Sequence, residues 1–388
     1  MLVALRRDGL DPELAGAADP ITKVILPLGI RGWLVTGYDE VRQVLADHDS
    51  FSNDFGNLVG RAGVAAGLDP GGLGFTDPPY HTRMRHMLTR HFTTRRLAAL
   101  APRVSAIVES SLADVERELD AFGRTDLVER FAIPVPTLTI CELLGVPYAD
   151  REHFQQLSSA RFDLTGGASA SLDAVNESLT YLEDLVARRR REPDDGLLAG
   201  LVADHGSQFS DRELAGVADG LLTGGIETTV STLGLGSLVL LQDPVSFARL
   251  AQDEVFAAAY VEELLRYLTV VQVAFPRFAR RDVDVGASLV RRHDVVLCSL
   301  SAAGRDPRTG EHLNEVDPEA ARRPHLAFGH GIHRCVGAEL ARLELRLAFP
   351  ALSRRLPDLR LAVDTSELEY RALSIVFGLP SLPVTCSR

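Results

Sequence analysis

The stretch Phe328-Gly329-His330-Gly331-Ile332-His333-Arg334-Cys335-Val336-Gly337 decides how the rest of this 388-residue chain is read. Its three glycines permit a tight loop and a close backbone approach to a flat cofactor, because glycine has no Cβ. The residues that follow, Leu340-Ala341-Arg342-Leu343-Glu344-Leu345-Arg346-Leu347-Ala348-Phe349, carry apolar side chains at helical spacing. Cys335 therefore stands just before a helix N-terminus, whose dipole and free N–H groups lower a thiol's pKa and favour the thiolate. This is how a protein offers an anionic sulfur to iron. With this composition, one Phe, two Gly and one Cys at these spacings should occur by chance on the order of 10⁻³ times per chain. Two other readings stay open here. One is a buried cysteine in an incidental glycine-rich turn; the other is a zinc site through His330, His333 and Cys335, whose spacing is not that of a usual finger.

Working outward, the composition is globular: 46% apolar and 24% charged residues, with 32 Gly and 20 Pro, exclude a disordered, collagen-like or low-complexity chain. A formal net charge of −12 argues against binding nucleic acid or an anionic membrane with the whole surface. The cysteines at 141, 298, 335 and 386 form no CxxC pair and no dense framework, which fits a reducing cytoplasm rather than a disulfide scaffold. Only a short apolar run precedes Arg6 and Arg7, too short for a secretory core or an anchor, and no later stretch reaches 18 uninterrupted apolar residues. A soluble, cytoplasmic protein is expected. The length allows one large domain or two to three ordinary ones; with no repeat and no Ser/Gly linker, one domain over 1–388 is expected.

Periodicity predicts a mainly α protein with a small β portion. Residues 23–36 read as strand, Gly-containing turn and strand. From Leu100, apolar residues at helical spacing predict a helix with Pro102 in its first turn, and similar patterns recur at 137–145, 172–190 and 247–268. The longest candidate opens on the capping signature Ser210-Asp211-Arg212-Glu213 and runs to Asp243-Pro244, about 48 Å at 1.5 Å per residue. Residues 283–300 turn strand-like again, and Arg188 to Arg191 suit a helix C-terminus.

Three further segments carry chemistry. Glu263 and Arg266 lie at i and i+3 of a helical pattern and can pair, although such pairs are usually solvated. Gly224-Gly225-Ile226-Glu227-Thr228-Thr229 falls in the middle of the longest helix. Each glycine there costs about 1 kcal/mol relative to alanine and a carboxylate costs more, unless the pair of glycines is a helix contact and the Glu is exposed. In Asp77-Pro78-Pro79-Tyr80-His81-Thr82-Arg83-Met84-Arg85, His81 and Arg85 at i and i+4 would point the same way and suit a carboxylate, or be ordinary surface cations.

In this order and at these distances, the segments and the Cys335 loop resemble the cytochrome P450 family, in particular its soluble bacterial members, over nearly the whole chain. The resemblance implies the P450 fold, with haem b between a long central helix and the cysteine-ligand loop and helix, and Cys335 as the iron ligand. It makes Glu263 and Arg266, with Arg322 or Arg323, a buried network behind the cysteine loop. Gly224 and Gly225 would let the central helix open beside the haem, and Glu227 and Thr228 would relay protons. His81 and Arg85, with Arg277 of Phe275-Pro276-Arg277-Phe278 and His333, would hold the propionates, while Phe328, Gly329 and Gly337 complete the cofactor-binding set. Gly304 stands where the family commonly has Asn, and only a local turn should be affected.

The function so implied is a haem-thiolate monooxygenase that hydroxylates or otherwise oxidises a small apolar molecule, in a secondary-metabolite tailoring step. The alternative is a haem protein of the same fold that recruits or activates a partner enzyme without turnover. Electrons must arrive from NAD(P)H through a ferredoxin and ferredoxin reductase, because the chain holds no flavin or iron–sulfur pattern. Arg95, Arg96, Arg103, Arg334 and Arg342 are candidate docking cations on a monomer. The loop from Asn53 to Phe75, rich in Gly and small residues, reads as a lid, and segments around 270–275 and 374–378 as pocket walls.

Overall fold

Near the N-terminus, Ile21–Ile25 (β1) and Arg31–Val35 (β2) pair antiparallel, with Ile21 opposite Val35, as their β-branched and aromatic residues predict. The computed structural model describes residues 19–25, 31–54, 73–150, 156, 167–194, 196–320, 323–371, 374 and 376–386. After β2 come Tyr38–Ala46 (α1), Phe51–Ser52 (β3), Tyr80–Thr89 (α2), Thr94–Phe122 (α3), Thr125–Asp126 (β4), Pro134–Leu144 (α4), Gly167–Arg191 (α5) and Leu197–His205 (α6). The chain continues through Asp211–Leu241 (α7), Pro244–Leu250 (α8), Glu254–Leu268 (α9), Arg277–Ala279 (β5), Val283–Val285 (β6), Ser288–Val290 (β7), Val295–Cys298 (β8) and Leu300–Ala303 (α10). Ala338–Arg355 (α11), Leu359–Leu361 (β9) and Pro383–Cys386 (β10) complete the order. Most of the expected lid, residues 55–72, lies outside the described residues.

Mainly α with a small β portion is what results. One sheet runs β1-β2-β8-β5-β3, with β2 parallel to β8 (Gly32 opposite Val295), and a second runs β4-β10-β9; β6 and β7 form a hairpin. Two boundaries differ from the pattern. Because the Thr93 side chain accepts from Arg96 N, α3 starts at Thr94, and Pro102 lies inside the helix rather than in its first turn. The 247–268 pattern splits into α8 and α9, since the Asp253 side chain caps Phe256 N and starts a new helix.

The central helix α7 has the expected capping box: Ser210 Oγ accepts from Glu213 N, and Glu213 Oε2 from Ser210 N. Tyr80 Oη also donates to Glu213, tying α2 to this start. Buried residues lie on every side of α7, which packs on α5, α4, α9 and α11. It is long and apolar enough to cross a membrane, yet most of that stretch is buried within this protein. Arg189 and Arg190 at the end of α5 bind the Gly145 and Gly206 carbonyls and the carboxylates of Asp194 and Asp211, so the expected helix-terminal role extends to neighbouring elements.

Glu263 and Arg266 on α9 are buried, not solvated. Arg266, 0% exposed, donates to both Glu263 oxygens (2.8 and 2.7 Å) and to the carbonyls of Gly304, Leu313 and Glu315. Arg323 Nη1 donates to Glu263 Oε1 at 2.8 Å and so fills the third place, while Arg322 lies outside the described residues. Gly304 contributes its carbonyl; a Cβ there would meet only ordinary contacts at 3.4–3.6 Å, so glycine is not required. Removing one partner of such a network strands a buried charge. Arg266→Met should therefore lower stability by about 3–5 kcal/mol in denaturant unfolding, and Arg323→Met by about 1–3 kcal/mol.

Candidate active site

The Cys335 loop is built by backbone constraints. Gly329 and Gly331 adopt φ of +69° and +72°, and a Cβ on Gly331 would lie 2.2 Å from the Leu45 carbonyl oxygen of α1. Those two positions require glycine. Gly337 has an ordinary φ of −84° and serves as the N-cap of α11. Hydrogen bonds from Gly329 N to Leu326 O, Arg334 N to Gly331 O and Cys335 N to Phe328 O hold the turn. Phe328 packs under the Arg342 guanidinium, 4.6 Å from its ring centroid.

Cys335 is exposed to a cavity of about 310 Å³, which it lines. Burial raises its thiol pKa, partly opposed by the Gly337 N–H and by Arg85, Arg334 and Arg342. The helix start expected to lower this pKa acts in that direction, but desolvation outweighs it. Cys141, Cys298, Cys335 and Cys386 form no disulfide, and no group of three or more His, Cys, Asp or Glu among the described residues is arranged to hold a metal ion. The zinc reading through His330 and His333 finds no support in the geometry.

Across the cavity, α7 presents Gly220, Gly224, Thr228 and Thr232, an i, i+4 row. The next row, Asp219, Thr223, Glu227 and Ser231, is buried against protein. Thr228 Oγ1 donates to the Gly224 carbonyl at 2.7 Å, and the helix is continuous here rather than open. The two glycines have different reasons. A Cβ on Gly225 would stand 2.5 Å from Ile140 Cδ1, a close approach of α4 to α7, whereas a Cβ on Gly224 would meet nothing within 4 Å. Glu227, 2% exposed, does not line the cavity; it is ion-paired with Arg371 of the C-terminal segment. Arg371 carries no local sequence signal, because the pairing spans 144 positions of chain.

Polar groups gather at one side. His81, 2% exposed with both ring nitrogens unpartnered, lines a cavity of about 150 Å³ with Arg85, His333 and Cys335. The His81 and His333 rings are 4.2 Å apart. Burial pushes both down, to about 4 for His81 and about 3 for His333, so both are neutral at pH 7. Arg277, 5% exposed on β5, reaches the main cavity and is held by the Asn53 side chain and the Phe275 carbonyl. Asn53 was not singled out by sequence; only the β3–β5 pairing brings it there.

Most of the remaining lining is apolar, with Phe92, Ile140, Val270, Val271, Ala274 and Phe275 among others, and Thr229, Thr269, His330 and Glu344 add polar groups. The described residues of 374–378 do not line it; Phe377 N donates to Val270 O and supports that wall from behind. Of the docking cations, Arg342 is 8% exposed and bound to Glu262 and Glu339, whereas Arg95, Arg96, Arg103 and Arg334 are exposed, Arg103 being paired with Glu142 and Arg96 bonded to His91.

A thiol on one wall, an apolar slot, and the unpartnered His81 imidazole beside His333 and arginines at one edge fit a flat apolar macrocycle with acidic substituents and a metal centre. The fold and site therefore define a haem-thiolate protein. Residues 146–356 match the family model described as Cytochrome P450. The chain is 37% identical to cytochrome P450 165B3 of Amycolatopsis orientalis over 390 residues, covering 98% of this chain and 97% of that protein. The solved structure of StaH from glycopeptide antibiotic A47934 biosynthesis is 40% identical, covers 98% of each chain and superposes with a TM-score of 0.87. CYP105P1 in complex with filipin I is 37% identical, with a TM-score of 0.89 over 97% of this chain and 96% of that one. The chain belongs to the cytochrome P450 family, and it is a P450 monooxygenase.

Gly225→Val should lower thermal stability by about 1–3 kcal/mol through the clash with Ile140, with part of the loss recovered by Ile140→Ala, while Gly224→Ala is tolerated. Because the folded pKa of His81 lies below the ordinary 6.5, the unfolded chain binds more protons between about pH 4 and 6.5. In haem-free protein, stability should therefore fall as pH drops through this window, and His81→Gln should flatten that slope in pH-resolved unfolding.

Proposed function

We propose that this monooxygenase oxidises an apolar small molecule in a secondary-metabolite tailoring step, with haem b held through Cys335 and electrons taken from NAD(P)H by way of a ferredoxin and its reductase. The observation that carries this reading is the shared cavity: the Cys335 sulfur on one wall, Thr228 on the other, and apolar side chains between. StaH comes from glycopeptide antibiotic A47934 biosynthesis and CYP105P1 is in complex with filipin I, which supports a secondary metabolite as substrate. A cytoplasmic single domain is part of the same reading.

His81, Arg85, His333 and Arg277 would hold the cofactor's carboxylates, and Phe328, Gly329, Gly337, Gly224 and Gly225 its faces and rim. Bound haem supplies the redox chemistry that activates dioxygen. The protein's part is ligation by the Cys335 thiolate, substrate placement and proton management. Val270, Val271, Ala274 and Phe275 orient the substrate and exclude water from the slot. Thr228 holds a hydroxyl at the cavity wall, and Glu227, one residue back on α7, passes protons toward it from the Arg371 side. Arg371 is a positioning residue: its pairing with Glu227 aims that carboxyl.

Cys335→Ala should abolish the thiolate-type spectrum of the reduced carbon monoxide complex; an unchanged spectrum overturns the ligation. Thr228→Ala and Glu227→Gln should each lower the coupling of NADPH to product by roughly tenfold or more. Arg371→Met should follow Glu227→Gln and shift the pH profile, and Arg371→Lys should restore it. Wild-type coupling in both Thr228→Ala and Glu227→Gln would remove the relay.

A further inference from the structure

Asp77 opens the segment that carries His81 and Arg85. Its carboxylate gathers three donors: Ser52 Oγ to Oδ2 at 2.5 Å, Asn53 N to Oδ1 at 2.9 Å, and the Arg280 guanidinium to Oδ2. Its carbonyl accepts from His81 N at 3.0 Å, at the start of α2. The side chain thus reaches β3 and the main chain α2. Desolvation works against the ion, but the donors prevail and hold the Asp77 carboxyl below the usual carboxylate range.

Asn53 carries the contact inward. Its buried amide donates to the Gly74 carbonyl and accepts from Arg277 Nη1. Gly74 belongs to the turn Leu73–Phe75, whose Phe75 packs on Phe275 with ring centroids 4.4 Å apart. Phe275 in turn offers its carbonyl to the same Arg277 Nη1 at 2.7 Å. Both acceptors are neutral, so neither compensates the guanidinium charge. Burial disfavours that charge, and Cys298 and Asp77 act against the burial. Burial also lifts the Cys298 thiol to about 12, so at pH 7 the opposing charge is that of Asp77.

We propose that Asp77 is a positioning residue for the cofactor's carboxylate edge: through Asn53 it aims the Arg277 guanidinium and supplies its counter-charge, and Arg280 latches this arrangement from the solvent side. The inference rests on the haem reading of the cavity. A buried guanidinium that is to receive a carboxylate must stay charged while it waits. An acid bonded directly to Arg277 would compete with the cofactor for the guanidinium's donors. A carboxylate placed one residue away supports the charge and leaves the remaining N–H groups for the cofactor. The bond from His81 N to Asp77 O ties α2, with His81 and Arg85, to the same anchor, so one residue joins both halves of the edge.

The test measures two properties of the holoenzyme: the rate of haem transfer to excess apomyoglobin, and the reduction potential of the iron. Asp77→Asn keeps the shape and removes the charge. Arg280→Met breaks the latch at a side chain that is 43% exposed. Each should speed haem loss roughly tenfold, the scale of one lost hydrogen bond to a charged group. In an Arg277→Met background, Asp77→Asn should add less than about twofold, because the residue it positions is gone. The potential should rise in Asp77→Asn, which removes a negative charge, and fall in Arg280→Met, which removes a positive one. A residue that only staples the loop would shift both variants the same way. Should Asp77→Asn fold poorly, Arg280→Met in the wild-type and Arg277→Met backgrounds gives the same comparison. A wild-type rate of haem loss, an effect undiminished in the Arg277→Met background, or potentials that move together overturns the proposal. Failure of the haem reading looks different: wild type itself would lack the thiolate-type spectrum.

Discussion

The Arg266 guanidinium has no access to solvent, and its charge can exist there only because Glu263, Arg323 and three backbone carbonyls are brought to it. Those carbonyls belong to residues 304–315, the stretch that leads from the sheet toward the cysteine loop. A buried ion network is weak as a source of net stability, since desolvation cancels much of its attraction. What it does is exclude alternatives: any other path for residues 304–323 leaves a naked charge in the interior. The position of the Cys335 loop against α1 and α11 follows from that constraint.

The second constraint is the tight approach of backbones around the cavity. Gly331 lets the loop touch the Leu45 carbonyl, and Gly225 lets α4 reach α7. With these contacts in place, Gly224 and Thr228 face an open slot and Cys335 stands opposite. The slot is apolar because most of its lining is; its polar groups are the threonine hydroxyls of α7, Glu344, and the edge where His333 and Arg277 meet the adjoining cavity of His81 and Arg85. The neutral His81 imidazole, with both nitrogens free, can donate to or accept a proton from an acidic group without the desolvation cost of a buried cation.

Proton management is where the molecule spends buried polarity. Glu227 is ion-paired with a cation, Arg371, whereas one oxygen of Glu344, Oε2, has no hydrogen-bond partner. Burial accordingly holds the Glu344 carboxyl well above the usual carboxylate range.

Local pattern in the sequence determined the helical class, the capping box and extent of α7, the Cys335 loop, and the spacing that puts His81 with Arg85 and Glu263 with Arg266. These are short-range matters, set by 3.6-residue periodicity, caps and glycine. Even here the start of α3 and the break between α8 and α9 escaped, because a single Thr93 or Asp253 side chain outbids the hydrophobic pattern. Only the tertiary structure decided which glycine of the central pair is packed against Ile140, that Arg323 closes the network, that Arg342 is bound rather than offered, and that Arg371 and Asn53 reach the site. It also decided that desolvation outweighs the helix start at Cys335. Each of these depends on what distant segments place within a few ångströms, and a partner 144 positions away leaves no trace in local spacing.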